Sequence, residues 1–418
     1  MRAGSAKGEM GGARRGAAAG QWPAADWAAE LRRTLARYDE SLLRTMADRL
    51  VKPRNYWPVE ELIERSIATV ENVPVIDRRL RDLELAERHA LAVIGHSGRA
   101  SWPISQLVEV LAALGAPDGL AAVRALFEAG LLFPDLGTGP ETASNGRTVL
   151  RSFDHWLGQG STSGLRVWSP PAITRRAVGI DLGLPRLRTE LAAAPRAILE
   201  ADGLEWPLRL AVVWQLAANS PFRRTQQGDL FKRDLDRLRG DPLLATPLPE
   251  ALAPLPDLSL CLVAWANQLG ILAENDHEWR AGTLPSVWSE GLWPALASLW
   301  QGLVRVTEWQ PLDGWRGGEA TPNPFPTAQF LALLLLTTLD PDDWACPEEV
   351  ARWVVGHHPF WKGTEGSDRA AAAIVCWLGG LAYPLRLVQA TRPVPDRWLV
   401  RLSPLGRWLL GGGGGPPP

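Results

Sequence analysis

Apolar residues recur along this chain at helical spacing, in runs of roughly ten to twenty residues that proline and glycine interrupt. Leu31, Leu35, Leu42, Leu43 and Met46 predict a helix over Trp27–Leu50 that Pro53 stops, and a second covers Val59–Val70 with Pro74 on its far side. Leu85–Ile94 reads as a third. Ser101 then serves as an N-cap with Pro103 in the first turn, and Ile104, Leu107, Val108, Leu111 and Leu114 share one face until Gly115. Asp118–Ala129 carries Leu120, Val123, Leu126 and Phe127 inward and ends at Gly130. Two extended phrases follow, LLFPDL and LRVWSP, on either side of the polar stretch Gly137–Ser163.

Three short helices followed by a hairpin are the order of a winged helix, here with a long wing. The order returns at the end of the chain. Thr327–Leu339, Pro347–Val355 and Ser367–Leu378 read as helices, with Gly379 and Gly380 ending the third. LAYPLRLV and RWLVRLSP then read as strands around Pro393 and Pro395, and the Ser-Pro turn leads into a final helix. Asp343, in the DPDDW turn, is placed to cap the second of these helices. The middle is less regular: helices at Trp206–Ala217, Phe231–Leu238 and Leu258–Gly270, an extended or turning PFRRTQQGDL, a hairpin at ILAENDHEWRAG and a further helix at Ser286–Leu303.

The expected fold class is mainly α, with tandem winged-helix units made of three-helix cores and short β-hairpin wings. The expected divisions are a disordered leader (1–24), an N-terminal helical segment (25–84) and a first winged-helix-like unit (85–200). A middle domain (201–310), a Gly/Pro-rich linker (311–326), a C-terminal winged helix (327–410) and a disordered tail (411–418) complete the reading.

Charge adds a polarity that the net of −2 conceals. Asp241–Val350 holds 15 acidic residues against three basic ones, a net of −12, so the remainder carries +10. Basic side chains gather at Phe222–Gly240 and Pro384–Leu410, which suggests surfaces with different partners or units that dock on one another. Only four of the basic residues are lysine, a bias that a GC-rich genome explains. Cys261, Cys346 and Cys376 are few, odd in number and far apart, which points to a reducing compartment and no disulfide framework. The first twenty residues show no apolar signal core, and Ala328–Leu339 is shorter than the roughly 20 residues of a membrane span. A cytoplasmic protein without a membrane partner is expected.

The phrase RRTQQGDLFKRDLDRL at Arg223–Leu238 resembles a segment of bacterial helicase-associated proteins, the family similar to the N-terminal domain of XPB-type helicases. In that family a Thr-x-x-Gly turn precedes a basic helix. The closing RLSPLGRWLL is also similar to the family's end, and the resemblance spans Leu204–Leu410 with these two phrases as its specific parts. It implies tandem winged helices, a role near DNA, and a separate helicase as partner. The motor itself is missing: no G-x-x-x-x-G-K-[S/T] loop is present, nor a Walker-B pair after an apolar strand.

No catalytic constellation, metal set or cofactor emerges. GHSGR at Gly95–Arg99 and GQGSTSG at Gly158–Gly164 fail the nucleophile-elbow pattern. Adjacent His357 and His358 are badly spaced for one metal. What remains is a set of nucleic-acid-binding candidates: Arg223, Arg224, Lys232, Arg233 and Arg237, then Arg392, Arg397 and Arg401 in or beside the last wing. Asp229, Asp234 and Asp236 interleave with the first group, so internal ion pairs compete with phosphate contact. The third helices of the middle and last units are apolar, which argues against base readout. Two functions therefore stand open: a non-catalytic DNA-binding accessory protein with little sequence preference, or a protein-interaction scaffold whose acidic middle docks a basic partner.

Overall fold

The computed structural model describes residues 27–52, 57–136, 149–158, 164–188, 197–248, 250–275, 277–317, 321–364, 366–394 and 397–411. The leader 1–24, Pro53, Pro395, the tail beyond Gly411 and most of the long wing at 137–163 lie outside them. The described chain is mainly helical, with small antiparallel strands, and no helix in it is long and apolar enough to cross a membrane.

The N-terminal segment holds four helices: α1 (Trp27–Leu35), α2 (Glu40–Leu50), α3 (Val59–Glu71) and α4 (Val73–Asp82). The single helix expected over Trp27–Leu50 is broken at Tyr38–Asp39. Asp39 caps α2 by accepting the Ser41 N–H at 3.0 Å, and its own N–H bonds Leu150 O at 2.8 Å. Pro74 does lie on the far side of α3, which ends at Glu71; it sits in the first turn of α4, where its missing N–H costs nothing.

Next come α5 (Leu85–Ser97), β1 (Trp102–Pro103), α6 (Ile104–Ala113), α7 (Gly119–Glu128), β2 (Phe133–Pro134), α8 (Phe153–Gly158), β3 (Arg166–Trp168) and α9 (Pro171–Ala177). Ser101 is not an N-cap. Trp102 and Pro103 pair with Val167 and Arg166, so α6 starts only at Ile104. Asp118 does cap α7, through Ala121 N–H at 3.2 Å, but Leu120 faces solvent. β3 lies between β1 and β2, a three-stranded order in place of the expected hairpin.

The same connectivity follows in the middle. It runs α10 (Glu205–Asn219), β4 (Phe222–Arg223), α11 (Lys232–Gly240), the short α12 (Pro242–Ala245), α13 (Leu258–Gln268), β5 (Leu272–Asn275) and β6 (Glu278–Ala281), with β6 between β4 and β5. The helix expected over Ser286–Leu303 divides at Gly291, φ +125°, into a 3-10 turn and α14 (Leu292–Leu303). The stretch expected as a linker contributes a hairpin, β7 (Trp309–Gln310) and β8 (Gly314–Trp315). The Trp309 indole donates to Pro256 O at 2.9 Å and the Trp315 indole to Asp229 Oδ1 at 2.9 Å, which fastens the hairpin to the middle unit.

The last copy is α15 (Phe325–Leu336), an isolated bridge at Ala345, α16 (Pro347–His357), α17 (Ser367–Trp377), β9 (Val388–Val394) and β10 (Arg397–Leu402), closed by α18 (Pro404–Leu409). Val400 bridges Ala345, so β10 again separates the first strand from the second. Asp343 does not cap α16, whose N-cap is Cys346; its N–H closes a turn onto Asp340 O at 3.0 Å. Gly379 and Gly380 do not end α17. They continue it as a π-turn, where a Cβ on Gly380 would stand 2.6 Å from Ala253 O. That turn displaces the expected strand to Val388. Buried side chains from Trp27 to Leu410 form one continuous core.

Candidate nucleic-acid interface

The first basic stretch opens with a turn. Gly228 holds φ +86°, a conformation that suits glycine, and its N–H bonds Thr225 O at 3.0 Å while Thr225 N–H bonds Asp229 O at 2.7 Å. The stem of this loop is the antiparallel bridge between Arg224 and Leu230. Phe231 N–H then meets Arg223 O at 3.1 Å, and Phe231, extended at φ −62° and ψ 147°, becomes the N-cap of α11.

α11 buries Asp234 and Leu238 and turns its other side to water. Arg237 is on the inner side. It donates to Asp234 Oδ1 at 2.7 Å, to Leu216 O at 2.7 Å and to Ser220 O at 3.0 Å, with its guanidinium 5.2 Å from the Phe222 ring. Those bonds tie α11 to the end of α10. Arg224 lies over Trp279, 4.6 Å from the ring centroid, and pairs with Glu274. Arg223 is exposed and reaches the Glu278 carboxylate at 3.6 Å.

Lys232 and Arg233 differ from all of these. Both are exposed on the first turn of α11, and neither has a hydrogen bond or ion pair among the described residues. Phe231, 49% exposed, stands beside them, with Gln226 and Gln227 exposed on the preceding loop. Two mobile cations, an aromatic face and the unbonded N–H groups that open a helix are placed together here. The sequence reading missed Phe231. The pattern hides it, because Phe231 stands four and seven residues before Leu235 and Leu238, the spacing of their core-facing stripe, and only its place as the N-cap leaves it exposed.

Among its candidates the second basic stretch holds one inward arginine and two exposed ones. Arg401 is tucked in, its Nε donating to Gln389 Oε1 at 2.9 Å and its Nη1 to Pro341 O at 2.6 Å, over the Trp344 ring at 4.3 Å. Arg392 and Arg397 are exposed on β9 and β10. The outer edge of β9 is covered: Leu199 pairs with Ala390, and Glu200 accepts from Arg386 at 2.8 Å and from Gln389 at 2.6 Å. The two stretches sit on separate elements, α11 packing on α12 and β10 on α15 and α16.

The third helices are committed to the core. In α13 every residue from Ser259 to Ala266 is buried, and α17 buries Ala370, Ala373, Ile374 and Trp377. Arg369, the lone cation of α17, meets Asp313 of the β7–β8 turn at 3.1 Å. Much of the acidic middle is likewise answered within the chain: Glu274 by Arg224, Glu278 by Arg223 and Arg280, Asp257 by Arg239 at 3.9 Å. These pairs lie within the middle unit, so that part of the charge is answered inside it and not by another unit.

The remaining candidates have packing roles. A Cβ on Gly95 of GHSGR would stand 2.6 Å from Thr174 O, so that glycine lets α5 approach α9. The His357 ring stacks on Trp353 at 4.5 Å, and buried His358 bonds Thr327 Oγ1 at 2.8 Å. GQGSTSG lies mostly outside the described residues. No protein-family model, curated protein or solved structure matches this chain.

Proposed function

We propose that this chain is a non-catalytic DNA-binding accessory protein, built of winged-helix units and holding duplex or single-stranded DNA by its phosphates with little sequence preference. A thrice-repeated order of helix, short strand or bridge, helices and two strands, with the short α8 and α12 as additions, supports the winged-helix reading, since the last strand lies between the other two in each copy. One observation carries the DNA reading: Lys232 and Arg233 stay unpaired on an exposed first turn, beside exposed Phe231, while Arg224 and Arg237 are used internally. Phosphate contacts position a protein without reading bases. The buried α13 supplies no side chains for a groove, which favours weak sequence preference. A separate helicase remains the proposed partner, on the resemblance at Arg223–Leu238.

The test is fluorescence anisotropy of labelled DNA titrated with the protein at two salt concentrations. Two phosphate contacts predict a loss of about tenfold in affinity over a fourfold rise in salt. Binding that is insensitive to Lys232→Ala with Arg233→Ala, or no binding at low salt, would remove this reading. In that case a basic protein docked on the exposed acids around Asp342 becomes the partner to seek.

A further inference from the structure

Three arginines lie near one another where the first unit touches the end of α14: Arg99 bonds Val304, beside Arg305, and Arg166 bonds Ser101, with one carboxylate next to Arg166. Arg99, 8% exposed, lies over Trp102 with its guanidinium 4.2 Å from the ring centroid. It donates Nη1 to Gln106 Oε1 at 3.0 Å and Nη2 to Val304 O at 3.1 Å. Arg305, the next residue, donates Nε to Gln301 O at 3.2 Å and Nη2 to Gln268 O at 2.8 Å. The Gln301 amide returns to Gly98 O at 3.0 Å, which closes the junction. Arg166 approaches from β3, donating to Ser101 Oγ at 2.9 Å and Ser101 O at 3.0 Å, with the Asp135 carboxylate 3.9 Å away.

Every hydrogen-bond acceptor in this set is a neutral oxygen. Nearby carboxylates face elsewhere: Glu308 accepts from Thr307 N–H and the Gln268 amide, and Glu109 accepts from Thr327. The Arg99 Nε–H is buried and has no hydrogen-bond partner among the described residues. Burial, then Arg166 and Arg305, press the Arg99 pKa down; burial and then Arg166 do the same to Arg305. Buried charges are ordinarily paired, and a cluster of cations with one carboxylate is short of negative charge. Arginine forks suit a tetrahedral oxyanion, which can accept from several donors at once.

We propose that Arg99, Arg166 and Arg305 form a binding site for a phosphate-class oxyanion that ties the first unit to the end of α14. The site is distinct from α11 and independent of whether DNA binds. Its occupant is a free phosphate or the terminal phosphate of a small nucleotide, two sources of one chemistry.

Isothermal titration of the full chain in chloride buffer tests it, with inorganic phosphate and AMP as separate probes. Binding of inorganic phosphate identifies a free-ion site; binding of AMP alone identifies a phosphate carried on a nucleoside. Because Arg99→Gln removes a core contact and can prevent folding, the variants are Arg166→Gln and Arg305→Gln, each checked by circular dichroism. Each is expected to weaken binding at least about tenfold, the loss of one charged hydrogen-bonded contact. Arg369→Gln, far along the chain on α17, is expected to bind as the unaltered protein does. Failure of both probes at millimolar concentration, or equal binding by Arg166→Gln and Arg305→Gln, overturns the proposal. A general stabilising effect of phosphate as a salt would persist in both variants and so counts against the site.

Discussion

Arg237 and Asp234 form a 2.7 Å ion pair one turn apart on α11, and the second oxygen of the same carboxylate accepts the Arg223 backbone N–H at 3.0 Å. One buried aspartate therefore joins a helix to a strand and holds the arginine that grips the end of α10. Removing one partner of a buried pair leaves the other charge uncompensated, which typically costs about 3–5 kcal/mol. Asp234→Ala is expected to lower the unfolding free energy read from urea titration by an amount in or just below that range, and the midpoint with it, because Arg237 keeps two carbonyl partners. A midpoint within error of the unaltered protein would show that this pair does not hold the unit.

Lys232 and Arg233 predict the opposite behaviour on the same helix. Exposed side chains without partners contribute little to stability, usually within about 0.5 kcal/mol. Lys232→Ala with Arg233→Ala should melt with the unaltered protein while losing affinity for DNA. A large fall in stability would mean that these side chains are structural, and the binding loss could then no longer be assigned to phosphate contact.

How far the sequence could be read follows from where its signals are local. The turn at Thr225–Gly228, the helix over Asp118–Ala129 and the period of α6 depend on residues close in sequence, and the reading found them. The first strand of the first and last units escaped it, and in the middle unit PFRRTQQGDL reads only as extended or turning. Trp102–Pro103, Phe222–Arg223 and Ala345 are two residues or fewer, and they become strands only by pairing with residues 55 or more positions away. The roles of the arginines were hidden for the same reason. Arg233 and Arg237 share a helix face in the sequence pattern, yet Arg237 meets Leu216 and Ser220 of a helix that the pattern cannot dock. Gly379–Gly380 looked like a helix end because glycine ends helices. The segment Leu252–Leu255 that passes over them has no local signature.

Gly380 yields the third prediction. Leu252 N–H bonds Gly379 O at 3.0 Å, and a Cβ on Gly380 would press on Ala253 O at 2.6 Å and Leu255 Cγ at 2.8 Å. A backbone oxygen cannot swing aside as a side chain can. Gly380→Ala should therefore separate the 252–255 segment from the π-turn and destabilise by about 1–3 kcal/mol, the usual range for overpacking. Calorimetry measures it. A melting temperature equal to that of the unaltered protein would show that the segment yields freely.

The final prediction concerns acid. His358 is fully buried between α15 and α16, with Nε2 2.8 Å from Thr327 Oγ1 and Nδ1 accepting the Phe360 N–H at 3.2 Å. Burial pushes its pKa from 6.5 down to about 4. The unfolded chain then binds a proton at higher pH than the folded one, so stability falls as pH drops below 6.5 and levels off below about 4. Glu109, whose carboxylate lies 3.9 Å from His358 Nε2, has its pKa raised by burial. Its contribution has the opposite sign, present at low pH and lost as pH rises through its folded pKa, and it offsets part of the histidine's. Between pH 7 and 4.5 the loss from His358 alone is about 2–3 kcal/mol. Urea unfolding at pH 7, 5.5 and 4.5 should show a downward slope that His358→Gln flattens, since glutamine can keep the Thr327 contact and has no proton to gain. A slope of the same size in His358→Gln would place the acid sensitivity elsewhere, at His89 and His96, whose pKa values burial also lowers.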